Sequence, residues 1–223
     1  MVVNTRMAMV PSRAAIVLLA LALTTAAPAV FPAPPQSRGE ALESLKSADA
    51  AKRAEAIVWL ANLGGMGDAP LLEARLRDES EFVRGFAEQG LWLLWGRSGD
   101  SAVDQLMAKG VEAMQGERYG EATKLFSQVI KSKPDFAEGW NKRATVRYLA
   151  GQYAESIADC GEVLKRNPHH FGALSGLGEI YLRLERPEQA LEWFRRALAV
   201  NPNLVGVEFR IKQIEEKLGE TTT

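Results

Sequence analysis

The sequence predicts an all-α protein built as a solenoid of helix-turn-helix units, and three observations carry that prediction. Proline returns at Pro134, Pro168 and Pro202, every 34 residues, and the windows Val103–Pro134, Ala137–Pro168 and Phe171–Pro202 superpose without a gap. Within each window the apolar residues fall at helical spacing in two runs, broken by Gln115-Gly116-Glu117, Ala150-Gly151-Gln152 and Glu185-Arg186-Pro187. Upstream, identical pairs at an offset of 31 residues mark a second, shorter repeat: Leu45/Leu76, Arg53/Arg84, Ala56/Ala87, Leu60/Leu91, Leu63/Leu94 and Gly65/Gly96. Fixed periods of this size mean stacked supersecondary units, each too small to bury a core alone.

The chain opens with Arg6 and Arg13 and has no acidic residue before Glu40. Arg13 precedes an apolar core, Ala14–Leu23, and then the small-residue run Ala26-Ala27-Pro28-Ala29. That order predicts a secretory signal peptide over 1–29, cleaved after Ala29, and a periplasmic destination. The competing reading is an uncleaved inner-membrane anchor, although Thr24, Thr25 and Pro28 interrupt a span that needs about 20 apolar residues. A mitochondrial presequence would spread its arginines along an amphipathic helix instead. No cysteine stands just after the apolar core, which excludes a lipoprotein. Residues 30–39, with Pro32, Pro34 and Pro35, are expected to form an extended Pro-rich spacer.

The segment 40–98 holds the shorter period. Its second unit, Leu76-Arg77-Asp78-Glu79-Ser80-Glu81-Phe82-Val83-Arg84, resembles the opening of a HEAT-like repeat, in which an acidic turn precedes a Val-Arg pair at the start of the inner helix. The resemblance implies two HEAT-like units; the first carries Lys52 where that family has Val. Two units fall short of the roughly three that stability requires. The block is therefore expected to pack directly on the unit that begins at Val103, with Trp59, Trp92 and Trp95 in a shared core and Gly96–Asp100 as a bend within one solenoid.

Registered with proline at position 32, the three windows of 103–202 place Leu106, Trp140 and Leu174 at position 4 and Gly110, Ala144 and Gly178 at position 8. Position 20 is Ala122, Ser156 and Ala190, and position 24 is Phe126, Cys160 and Phe194. The small residues let the two helices of a pair approach closely, and the proline ends the second helix. These residues resemble the tetratricopeptide repeat, most closely in Leu174, Leu177-Gly178, Tyr181, Ala190, Phe194, Ala197 and Pro202. The middle window departs, with Arg143 and Arg147 where the family prefers Leu and Tyr, and Cys160 in place of an aromatic. The resemblance implies a right-handed α-solenoid of three such units. Residues 203–219 look like its capping helix, with Leu204, Val207, Ile211, Ile214 and Leu218 on one face and Glu208, Lys212, Glu215 and Glu216 on the other.

Charge and motifs exclude several function classes. The net charge is −1 and the charged residues of the repeats alternate in sign, so there is no footprint for nucleic acid. The single cysteine, Cys160, is placed between helices by its register, and His169 and His170 follow Pro168 too far along the chain to activate it. Two adjacent histidines do not make a metal site. No phosphate-binding loop, nucleophile elbow or paired-carboxylate cleft is recognisable, so no enzyme activity, cofactor or metal is expected.

What remains is the concave groove that the tetratricopeptide resemblance implies, lined by the first helix of each pair at positions 2, 5, 9, 12 and 13. Transferred to this chain, the partner-binding residues are Met107, Val111, Met114, Asn141, Thr145, Tyr148, Ser175, Glu179, Leu182 and Arg183. Members of the family that clamp a chaperone's C-terminal carboxylate carry basic residues and Asn at sites that here hold Met107, Val111, Gly172 and Gly176, so that clamp is absent. The expected partner is a protein or peptide segment with an apolar stripe, because flexible Met side chains adapt to varied surfaces. An alternative has Met107 and Met114 covered by the upstream block. The reading is thus an exported interaction scaffold or adaptor. The alternatives are a membrane-tethered envelope assembly factor and, from the HEAT-like resemblance, an enzyme or chromophore-handling factor like the bilin lyases.

Overall fold

The computed structural model describes residues 34–220, and the expected signal peptide lies outside the described residues. Helices α1 (Arg38–Ser44), α2 (Ala50–Leu63), α3 (Ala69–Arg75) and α4 (Glu81–Trp95) form an N-terminal block, with a 3-10 turn at Met66–Asp68. Three pairs follow: α5 (Ser101–Gln115) with α6 (Tyr119–Ser132), α7 (Ala137–Leu149) with α8 (Tyr153–Arg166), and α9 (Phe171–Arg183) with α10 (Pro187–Val200). Helix α11 (Val205–Glu220) closes the array, and no strand occurs among the described residues. This is the α-solenoid of helical repeats that the periods predict. Ser37 caps α1 by accepting the Glu40 amide, so helix begins inside the stretch expected to be an extended spacer.

The break between the helices of each pair has one geometry. Glu117, Gly151 and Glu185, all at position 15, are left-handed, with φ of 58°, 74° and 57°. The next amide, from Arg118, Gln152 or Arg186, bonds the carbonyl five residues back, on Ala113, Arg147 or Tyr181, at 2.9, 2.8 and 2.9 Å. This Schellman-type closure satisfies carbonyls that the helix end would leave unpaired. Only the middle repeat uses glycine for it.

The middle repeat's departures compensate one another. A Cβ on Gly110 would lie 2.5 Å from the Phe126 ring, and one on Gly178 would overlap Phe194 in the same way. In the middle pair Ala144 supplies that methyl, and the facing residue shrinks to Cys160; both are buried. Arg143 and Arg147, in turn, converge on Asp159. Arg143 donates from Nε and Nη2 at 2.9 and 2.8 Å, and Arg147 from Nη1 at 2.6 Å. A carboxylate that is 2% exposed is thereby neutralised by two guanidinium groups.

The upstream period is equally regular. Arg53 donates to the carbonyls of Ser47 and Ala48, and Arg84, 31 residues on, to those of Asp78 and Glu79. Arg53 also makes a buried two-point pair with Asp78, at 2.9 and 2.7 Å.

The block's position differs from the expectation. Its core takes in Phe171, Val200 and Leu204 and no residue of α5 or α6, so it does not stack on the first repeat pair. Instead α4 runs along the turns that join one pair to the next. Arg84 and Glu88 bond Asn203 and Asn201 after α10, Trp92 and Trp95 pack on His170 and Phe171 after α8, and the Ser98 carbonyl accepts from Lys133 after α6. The 96–100 turn causes this reversal. Gly99 is left-handed at φ 76°, and Ser98 Oγ bonds Asp104 Oδ1 at 2.7 Å, folding α4 back along the repeats. Trp92 and Trp95 fill the seam so created, and Trp59 packs on the same core.

Candidate peptide-binding groove

The first helix of each pair has two demands on its surface: one side must fill the core against the second helix, and the other is left for solvent or ligand. Row by row, the structure shows how much of that second side stays open. The position-2 row is closed. Asp104 accepts from Ser98, Glu138 is 3% exposed beneath His170, and Trp92 sits where a side chain on Gly172 would go.

The Glu138–His170 contact is the most buried polar pair in this region. His170 caps α9, its Nδ1 accepting the Ala173 amide at 3.1 Å, which leaves the ring proton on Nε2 to donate to Glu138 Oε2 at 3.0 Å. The ring stacks on Trp95 with centroids 4.6 Å apart. Burial pushes the Glu138 carboxyl up, but Lys142 at 3.0 Å and the hydrogen bond from His170 outweigh it and hold the group down at about 2.

Of the ten residues assigned to the groove from sequence, Met107 and Asn141 are not on it. Met107 is 8% exposed and packs into the first pair's core with Val103, Phe126 and Val146. Asn141 is 7% exposed and donates to Glu138 at 3.0 Å. Val111 and Met114 are half-buried against the same first-pair core. Met107 is therefore covered, and Met114 partly so, by a core that α6 and α7 share with α5, and not by the upstream block.

The other six lie on α7 and α9 and remain at least partly accessible. Thr145 and Ser175 turn their hydroxyls back to the Asn141 and Phe171 carbonyls. Tyr148 accepts from Arg183 Nε at 3.2 Å, and Leu149 beside it is 38% exposed. Glu179 pairs with Arg210 of α11 at 3.1 Å, and Leu182 packs with Val207 and Ile211 of the same helix. What survives is a shallow face of mixed polarity, shifted toward the later rows and the C-terminal helix.

That shift exposes a residue the sequence reading missed. Continuing the 34-residue register puts Val205 at position 1 of a fourth first helix and Phe209 at position 5, in the row of Met107, Asn141 and Ser175. Phe209 is 59% exposed. Extending the register past Pro202 was the signal available; treating 203–219 only as a two-faced cap concealed it. Elsewhere, among the described residues, no group of three or more His, Cys, Asp or Glu side chains is placed to hold a metal ion, and no helix is long and apolar enough to cross a membrane.

Comparison with known proteins agrees with this architecture. Two tetratricopeptide repeat family models match residues 107–162 and 147–205, and this part of the chain carries tetratricopeptide repeats. A TPR repeat-containing protein of Rhizobium etli is 33% identical over 131 residues, covering 59% of this chain and 64% of its own length. Hsp70-Hsp90 organizing protein 1 of Glycine max is 26% identical over 51% of this chain and 20% of its own. The chain thus spans less than two thirds of the curated relatives it matches. Among solved structures, the first TPR of Spaghetti bound to an HSP90 peptide has a TM-score of 0.51 at 22% identity, covering 54% of this chain and 96% of that one. The Sgt2 TPR domain of Aspergillus fumigatus has a TM-score of 0.52 at 20% identity over 55% of this chain and 83% of that one, which shows a shared fold.

Proposed function

We propose that the protein is an exported interaction scaffold that holds a peptide or helical segment of another protein against the accessible face of α7, α9 and α11. The observation that carries this reading is the division of labour on the first helices. Their inward sides are consumed by packing, while Thr145, Leu149, Ser175 and Arg183 stay accessible without serving the core between pairs, and Tyr148 lends that core one side of its ring and keeps the rest accessible. Solved tetratricopeptide domains of similar fold include one bound to an HSP90 peptide, which supports a peptide-sized ligand. The carboxylate-clamp sites are unsuitable here, since Met107 is buried and Gly172 is covered by Trp92. Export, and a HEAT-like origin for 40–98, belong to the same proposal and rest on the residue patterns alone.

The test is affinity capture from the envelope fraction with the full chain, Ser175→Arg and the distant Lys124→Ala, followed by N-terminal sequencing of the recovered protein. Loss of partners with Ser175→Arg, retention with Lys124→Ala and a mature start at Val30 are the expected results. Equal capture by all three would remove the groove, and a retained Met1 on membrane-bound protein would favour the tethered assembly factor.

A further inference from the structure

Helix α11 is more than a cap. It ends the solenoid on the side where another helix pair would stack: positions 4, 8 and 11, which in earlier repeats meet the second helix, are Glu208, Lys212 and Glu215 here, all exposed. Glu208 and Lys212 pair at 3.1 Å, and Glu215 pairs with Arg195 at 2.7 Å. Its apolar side, Val207, Ile211 and Ile214, is spent on α9 and α10. Val205 and Phe209, 75% and 59% exposed, belong to neither set. By the 34-residue register they extend the groove rows that Phe171 and Ser175 occupy one unit earlier, and a Cβ on Gly176 in that earlier unit would meet nothing within 4 Å.

Charge supplies the second half. Arg183, at position 13 of α9, is tied through Nε to the Tyr148 hydroxyl; Glu179, one turn earlier, attracts it, but among the described residues no carboxylate forms an ion pair with its guanidinium. Arg210, by contrast, is neutralised by Glu179. A guanidinium with free terminal nitrogens is a two-point donor site for a carboxylate. From position 13 of α9 to position 5 of α11 is about 12 Å along the helix axis and about 9 Å between axes, so roughly 15 Å in all. An extended peptide covers that distance in about four or five residues.

Resting on the groove reading above, we propose that the occupant is an extended peptide carrying an apolar residue that packs on Phe209 and an acidic residue four or five positions away that pairs with Arg183. The roof formed by Trp92 and His170 over the position-2 row confines it to this end of the groove.

The probe is a pair of fluorescein-labelled nonapeptide pools on an Ala/Ser/Gly background, with one Glu and one Leu or Phe fixed four or five residues apart in both orders, and matched pools with Gln for Glu. Polarisation titrations use the full chain. The Glu pools should bind, the Gln pools about tenfold more weakly, and Arg183→Gln and Phe209→Ser should each reduce Glu-pool binding by about tenfold with unchanged melting. No binding of the Glu pools, equal binding of the Gln pools, or indifference to both variants overturns the proposal. A concentration-dependent dimer that disappears in Phe209→Ser also overturns it, by making a second copy the occupant. Should Ser175→Arg still abolish envelope capture in any of these cases, the groove reading survives without it.

Discussion

Arg84 donates from Nε to Oδ1 of Asn203 at 2.8 Å, and Asn203 returns a bond from Nδ2 to the Leu76 carbonyl at 2.7 Å. One unit earlier, Arg53 makes the corresponding bond to Asp78. The turn after α10 therefore stands where the aspartate of a third 31-residue unit would stand. Two short units that could not close their own core borrow the closing layer from the third tetratricopeptide pair.

It follows that Asn203→Ala should lower stability by about 1–3 kcal/mol, because it strands a half-buried arginine and a backbone carbonyl. Residues 34–98 produced alone should lack a cooperative melt. A sharp transition in that fragment's circular dichroism would show that the block stands by itself.

The pairing of positions 8 and 24 predicts coupling. Gly178→Ala should cost about 1–3 kcal/mol by crowding Phe194, and Phe194→Cys more, by opening a cavity. The double variant recreates the Ala144–Cys160 pair, so its cost should fall below the sum of the single costs. Strict additivity in urea melts would contradict the compensation argument.

Acid should weaken the protein through Glu138. Its folded pKa of about 2 lies below the ordinary 4.5, so the stabilisation is complete at neutral pH and is lost as pH falls from about 5 toward 2. The contribution is about 3 kcal/mol. Glu138→Gln should be less stable at pH 7 and flatter between pH 5 and 3; parallel profiles for the two proteins would place the acid sensitivity elsewhere.

Cys160 should resist thiol reagents in the folded protein. Burial, with Asp159 adding to it, pushes the thiol up to about 12, so almost no thiolate exists near neutral pH. Labelling should appear only in denaturant, and rapid native labelling would mean that α7 and α8 open locally.

Glu185→Gly should stabilise by about 0.5–1 kcal/mol, since a left-handed glutamate is replaced by the residue that Gly151 already supplies at the same position. An unchanged or lower melting temperature would indicate that the glutamate side chain contributes more than its backbone conformation costs.

Periodicity alone determined the helices and their pairing. Helical spacing is set by neighbours within four residues, and a 34-residue period repeats the same local contacts, so the break at position 15, the close helix approach at the small residues of positions 8 and 20 and the burial of Cys160 were all legible from Val103 to Pro202. The tertiary structure decided where the first block lies and that Met107 and Asn141 belong to the interior. Substituting Met107 with Glu is accordingly expected to damage the fold before it touches binding. These outcomes depend on contacts such as Arg84–Asn203 and Trp92–Phe171, which join residues far apart in the chain and have no period of their own. A turn of five residues, bent by Gly99 and tied by Ser98 to Asp104, sends α4 back along the repeats, and that direction is a property of hydrogen bonds formed only once the chain has folded.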